Sequence, residues 1–220
     1  MGAQDKLKNC ELFLFDMDGT LYLGDEVYPG AIELMEALPV HGKRYIYLTN
    51  NSSRGTDRYI ARLRRFGILA KPEEFLTSAD AAIWLLGREQ PGKRGFVVGT
   101  VSLLDQMEDE GLCVSGEDWQ SAEYLLIGFD RELTFRKLED ACILLNRGAA
   151  YIATHPDPVC PVWYGSAPDC GSVIEMLYTA TGRRPCVVGK PKPGIVKLAM
   201  ERTGFGPEQT CVIGDRVYTD

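Results

Sequence analysis

Leu12-Phe13-Leu14-Phe15-Asp16-Met17-Asp18-Gly19-Thr20-Leu21-Tyr22 joins an apolar run to two aspartates one residue apart, with glycine and threonine behind them. Residues 12–15 have no polar face, so they read as a strand buried on both sides of a sheet. An ionised carboxylate at the end of such a strand is costly unless a cation or hydrogen bonds compensate it. Asp16 and Asp18 therefore require a partner from elsewhere in the chain.

Downstream, strand and helix patterns alternate, which predicts parallel sheets with crossover helices. Ile32, Met35 and Leu38 give residues 29–38 a helical stripe, and Pro39 is expected to end it. A strand over residues 44–48 runs into Thr49-Asn50-Asn51-Ser52-Ser53, and Thr56 reads as the cap of the next helix. The pattern restarts near Ser78, with strands predicted at residues 96–98, 124–127 and 151–153 and a helix capped by Thr134. Residues 155–168 hold four of the chain's prolines and read as an irregular loop, in which Trp163 and Tyr164 would close a small core. Ser172 and Glu175 form a capping-box pattern for a helix ending at Gly182. Two more strands, residues 186–188 and 211–213, lead to Gly189-Lys190-Pro191 and Gly214-Asp215-Arg216-Val217-Tyr218-Thr219-Asp220. The fold class is α/β, with a doubly wound parallel sheet.

Bulk properties exclude several functions. A net charge of -7 over 220 residues argues against a nucleic-acid polymer as the main partner. No apolar stretch approaches the roughly 18 residues a membrane helix needs, and no signal-peptide pattern opens the sequence. Seven scattered cysteines without a Cys-x-x-Cys pair fit a reduced, cytoplasmic protein better than a zinc or disulfide framework.

Four polar clusters follow apolar strands or open helices: Asp16/Asp18, Thr49/Asn50, Lys190 and Asp215/Asp220. In an open α/β sheet the carboxyl ends of the strands line one edge, where ligands bind. Acidic groups brought together there make a hard oxygen site suited to Mg²⁺. Thr49-Asn50 near a helix start suits a phosphate, and Lys190 supplies positive charge for its oxygens. The implied chemistry is metal-assisted phosphoryl transfer to a carboxylate. Taken singly, Thr49-Asn50 fits a helix cap, Lys190 a surface lysine and Asp215 a turn residue; only their combination points to a site. Arg62, Arg64 and Arg65 read as a solvated helix face. His155 fits a structural hydrogen bond and a substrate contact equally well.

Asp16-Met17-Asp18-Gly19-Thr20-Leu21 resembles the first motif of the haloacid dehalogenase-like phosphatases. Leu48-Thr49-Asn50-Asn51 resembles the second, Gly189-Lys190-Pro191 the third, and Gly214-Asp215-x-x-x-Thr219-Asp220 the fourth. About 140 residues separate Thr49 from Lys190, and this insertion resembles that of the NagD and p-nitrophenyl phosphatase branch, as does Ala153-Thr154-His155-Pro156-Asp157. The resemblance implies a Rossmann-like core over residues 1–77 and 184–220, continuing in relatives past the fourth motif, and an α/β cap of type II over residues 78–183. It implies Asp16 as nucleophile and metal ligand, and Asp18 as acid and base, binding metal through its carbonyl. Thr49, Asn50 and Lys190 would hold the phosphoryl group, Asp215 would complete the Mg²⁺ site, and Asp220 would act behind it. The substrate would be a small phosphate ester, and relatives' pairing through the cap raises a homodimer as one option. A phosphoacceptor receiver domain, a phosphosugar mutase and a fragment with impaired metal binding are the competing readings.

Overall fold

The computed structural model describes residues 7–53, 56–114, 116, 118–162, 164–216 and 219–220. Contacts divide the chain into two compact units. One comprises Met1–Thr49, Thr56–Leu76 and Ile195–Asp220; the other comprises Asn50–Gly55 and Thr77–Gly194.

The first unit is built on the sheet that Leu12–Phe15 organises. Strand order is Thr210–Ile213, Leu12–Phe15, Arg44–Thr49, Phe75–Thr77. The opening strand pairs in parallel with both neighbours, Leu14 facing Val212 on one side and Ile46 on the other. Its central position explains the continuous apolar run: Leu12 and Leu14 have no exposed surface and Phe15 only 1%. Each such fully buried side chain contributes about 1.5–3 kcal/mol. Phe15, Met17, Tyr22, Met35, Tyr47 and Leu63 share one apolar cluster. Helix Ala31–Val40 runs through Pro39 instead of stopping at it. Pro39 lies in the last turn, so the one N–H bond it forfeits falls at the helix end, and the chain leaves through Gly42 at φ 71°.

The second unit carries a five-stranded parallel sheet in the order Cys186–Val187, Ala150–Ala153, Tyr124–Ile127, Arg94–Val98, Cys113–Val114. Tyr124, Leu125, Leu126 and Ile127 are fully buried, as suits the middle strand. Helices Phe135–Asn146 and Cys170–Thr181 share its apolar cluster through Leu138, Leu145, Ile174 and Leu177. Cys186–Val187 joins this sheet, and the contact division falls at Ile195, so residues 186–194 group with the second unit. The backbone explains it: Val188 and Gly189 N–H groups continue the ladder onto Ala153 and Thr154 carbonyls.

Two short ribbons depart from the expected loops. Residues 155–168 contain an antiparallel hairpin, Val159–Val162 with Gly165–Pro168, in which Pro161 is tolerated because both strands are edges. Tyr164 at its tip is 61% exposed and closes no core, while Trp163 lies outside the described residues. A second hairpin, Tyr22–Leu23 with Glu26–Val27, follows the paired aspartates. Its Gly24-Asp25 turn, with Gly24 at φ 58°, is a hairpin signal present in the sequence. Among the described residues no helix is long and apolar enough to cross a membrane.

Candidate active site

In the first unit the sheet brings distant carboxylates together. Asp16 N–H donates to the Ile213 carbonyl at 2.9 Å, extending the parallel ladder one residue beyond the strand. That step sets Asp16 beside the loop that follows Ile213. Oxygen atoms of Asp16, Asp215 and Asp220 all lie within 4.8 Å of one another. Two glycines make the approach possible. A Cβ on Gly19, whose φ is 95°, would stand 2.7 Å from Asp215 Cγ, and one on Gly214 would collide with the Asp220 side chain. Asp220 is fixed locally: its N–H donates to the Arg216 carbonyl at 2.8 Å, and its carboxylate accepts from Arg216 N–H and Thr219 Oγ1, both at 3.2 Å. Thr20 Oγ1 donates to Asp16 at 3.4 Å. Three carboxylates so close repel unless a cation or proton intervenes, and an all-oxygen set suits a hard divalent ion. The residues therefore fit a Mg²⁺-type site, with Asp220 among the candidate direct ligands.

Asp18 stands outside this cluster. The turn after Phe15 closes through Thr20 and Leu21 N–H groups on the Met17 carbonyl and Gly19 N–H on Tyr22 O. Asp18 then faces Tyr22, whose hydroxyl lies 3.5 Å from its Oδ2, and Arg62, whose guanidinium lies 3.6 Å from its Oδ1. Desolvation raises the Asp18 carboxyl above its ordinary value, outweighing the Arg62 charge that lowers it. Water screens this effect, because the side chain keeps 58% of its surface exposed. Arg62 is not the solvated residue its sequence context suggests. It stacks 4.6 Å over the Tyr22 ring and donates to the Gly24 carbonyl. Only the hairpin that carries Tyr22 and Gly24 gives it these partners. Thr49 ends its strand 9% exposed, with Oγ1 3.5 Å from the Tyr59 hydroxyl.

The second unit holds Asn50 and Lys190, and brings them together. Asn50 Nδ2 donates to the Lys190 carbonyl and to Asp157 Oδ2, each at 3.0 Å. Both amide hydrogens are thereby committed, while Asn50 Oδ1 is buried without a hydrogen-bond partner among the described residues. A Cβ on Gly189 would stand 2.7 Å from that oxygen and 3.0 Å from Ser78 Cβ, so glycine is required there. Lys190 is 5% exposed, which removes it from the class of solvated surface lysines.

His155 is wholly buried, and this decides between its two readings. Nε2 lies 2.9 Å from Asp169 Oδ1 and Nδ1 2.9 Å from Thr154 Oγ1. Asp169, not Ser172, caps the following helix, accepting Cys170 N–H, while Ser172 Oγ donates to the Pro158 carbonyl. Asp169 could have been found as an aspartate one residue before the helix. Asp157 lay in plain sight within a quoted motif, but its contact with Asn50 spans 107 residues.

Comparisons with known proteins agree with this construction. Residues 13–113 match the family described as haloacid dehalogenase-like hydrolase, and residues 187–220 match a HAD-hydrolase-like family. An acid sugar phosphatase of Staphylococcus aureus is 32% identical over 214 residues, spanning 97% of this chain and 82% of the relative. Among solved structures, a 4-nitrophenylphosphatase from Thermotoga maritima is 38% identical with a TM-score of 0.90, covering 98% of this chain and 82% of that one. A glycerol phosphate phosphatase from Mycobacterium tuberculosis, solved in complex with magnesium, is 32% identical with a TM-score of 0.88, covering 98% of this chain and 64% of that one. The chain belongs to the haloacid dehalogenase-like hydrolases, among the phosphatases of the NagD and p-nitrophenyl phosphatase branch.

Proposed function

We propose that this protein hydrolyses a small phosphate monoester with Mg²⁺, using Asp16 as nucleophile. The observation that carries the reading is the oxygen cluster of Asp16, Asp215 and Asp220 at the carboxyl ends of two adjacent parallel strands. An Asp16 oxygen attacks phosphorus, the ester oxygen leaves with a proton from Asp18, and an aspartyl phosphate forms. Asp18 then takes a proton from water, whose oxygen attacks the same phosphorus, releasing inorganic phosphate and restoring Asp16. Bound Mg²⁺, with Asp16 and Asp215 as side-chain ligands, Asp18 through its carbonyl and Asp220 as ligand or support, supplies positive charge against the phosphoryl oxygens.

Thr49, Asn50 and Lys190 serve the phosphoryl group. Because the Asn50 amide hydrogens are already committed, Asn50 contributes through its main chain. We assign residues 1–77 and 184–220 as catalytic core and residues 78–183 as cap, with a small soluble phosphate ester as partner. Relatives named for sugar phosphates, 4-nitrophenyl phosphate and glycerol phosphate support that substrate class. The test is phosphate release from 4-nitrophenyl phosphate and a panel of phosphorylated metabolites, with and without Mg²⁺. The native protein is expected to turn over only with metal, and Asp16→Asn to be inactive. Near-native turnover by Asp16→Asn would overturn the assignment.

A further inference from the structure

A hydrogen-bond network without solvent exposure lies behind Asn50 and Lys190. Ser78, Thr154 and His155 have no exposed surface, and Asp169 only 6%. Partner chemistry sets its direction. Asp169 Oδ1 accepts Cys170 N–H at 2.6 Å and faces His155 Nε2, so Nε2 carries the ring proton. Nδ1 makes the ring's second hydrogen bond, with Thr154 Oγ1 at 2.9 Å. Thr154 Oγ1 also lies 3.1 Å from Ser52 Oγ, and Ser52 accepts Phe129 N–H at 2.9 Å. Ser78 Oγ, 3.4 Å from Nδ1, gives its own proton to the Asn50 carbonyl.

The order Asp169–His155–Ser78 superficially matches a hydrolytic triad. Ser78 is enclosed, however, and its proton is already given away, so no substrate can reach it. The network instead grips main chain. Gly189 N–H donates to the Thr154 carbonyl at 2.7 Å, immediately before Lys190. Two residues after His155, the Asp157 carboxylate holds the Asn50 amide, while the Asp157 carbonyl accepts Gly171 N–H at 2.8 Å. The His155 side chain thus links the cap of helix Cys170–Thr181 to the segment that holds both Asn50 and Gly189.

We propose that the buried His155–Asp169 pair is a positioning device that sets Asn50 and Lys190 for phosphate, acting through Ser78, Thr154 and Asp157. It rests on the functional reading above only in its effect on turnover. The pair touches no substrate. It fixes the place of main chain whose displacement by about 1 Å is enough to cost up to a hundredfold in rate.

The experiment uses three variants. His155→Leu removes both nitrogens, and His155→Gln restores an amide donor toward Asp169. Asp169→Ser keeps a good helix cap while being too short to reach His155. We expect His155→Leu and Asp169→Ser to lower kcat/KM about 10–100-fold and to weaken competitive inhibition by inorganic phosphate. The Mg²⁺ concentration for half-maximal activity should stay as in the native protein. The double variant should be no worse than either single, and His155→Gln should recover most of the loss. In parallel, amide hydrogen exchange should accelerate at Gly189 and Gly171 in His155→Leu and Asp169→Ser. Native kinetics and phosphate inhibition with only a lowered Tm would overturn the proposal, as would unchanged exchange at both glycines. Absence of turnover by the native protein would overturn the phosphatase reading instead, and the exchange data would still judge the positioning role.

Discussion

Gly19→Ala tests whether the acidic cluster is a metal site, because it perturbs one ligand without removing any. Gly19 sits at φ 95°, a conformation that costs a residue with Cβ about 1–3 kcal/mol. The new Cβ would also stand 2.7 Å from Asp215 Cγ and 3.1 Å from its Oδ1. Non-bonded carbons prefer ~3.5–4.0 Å, so the Asp215 carboxylate must retreat by about 1 Å. Asp215 is short and exposed enough to swing, so the fold survives while the oxygen cluster opens. Disturbing a metal site's geometry at this level costs about 10–100-fold in affinity, or ~1.4–2.7 kcal/mol of binding. The expected result is a Tm lowered modestly in the absence of metal, and a Mg²⁺ requirement raised by that factor. The assay is a Mg²⁺ titration of both thermal stability and phosphate release, native and variant side by side. An unchanged Mg²⁺ midpoint despite a lowered Tm would refute the assignment of Asp215 to the metal and reduce Gly19 to a turn residue.

Other expectations concern the scaffold. Lys137→Met should destabilise the protein by about 3–5 kcal/mol, because Asp130 is wholly buried and pairs with Lys137 at 2.7 Å; urea unfolding measures it, and a loss below ~1 kcal/mol would show that water relieves Asp130. Iodoacetamide at pH 8 should label Cys113 and Cys186, which are exposed, and spare Cys170, whose buried thiol is pushed up to about 12; mass spectrometry of early modification reads this out. Hydrogen bonds from Arg184 hold the Glu175 carboxyl below its ordinary value. Its stabilisation is therefore present above the unfolded carboxylate range and lost as pH falls through the folded value. Glu175→Gln should lower Tm slightly at neutral pH and not at all at pH 2, and a pH-independent difference would contradict the pairing.

The sequence showed these features to the degree that their physical causes are local. The strand Leu12–Phe15 was legible because burial on two faces leaves no room for polar alternation. Glycines at Gly19, Gly189 and Gly214 stood inside recognisable motifs, but the reason for each is an atom elsewhere in the chain, on Asp215, Asn50 or Asp220. Arg62 illustrates the limit: on helix Asp57–Arg65 it has the neighbours of a solvated face, and its stacking on Tyr22 depends on a hairpin 38 residues away. The placement of Cys186–Val187 was equally hidden, since an apolar run specifies a buried strand without naming its sheet. His155 stayed ambiguous for a related reason. A histidine after a strand end can meet substrate or core, and the deciding partner, Asp169, lies beyond a hairpin the prolines disguised. What pairs with Asp16 followed from motif order. What steadies Asn50 and Lys190 was hidden, because hydrogen bonds of Ser78 and Thr154 to main chain and of Asp157 to the Asn50 amide make no demand on spacing along the sequence.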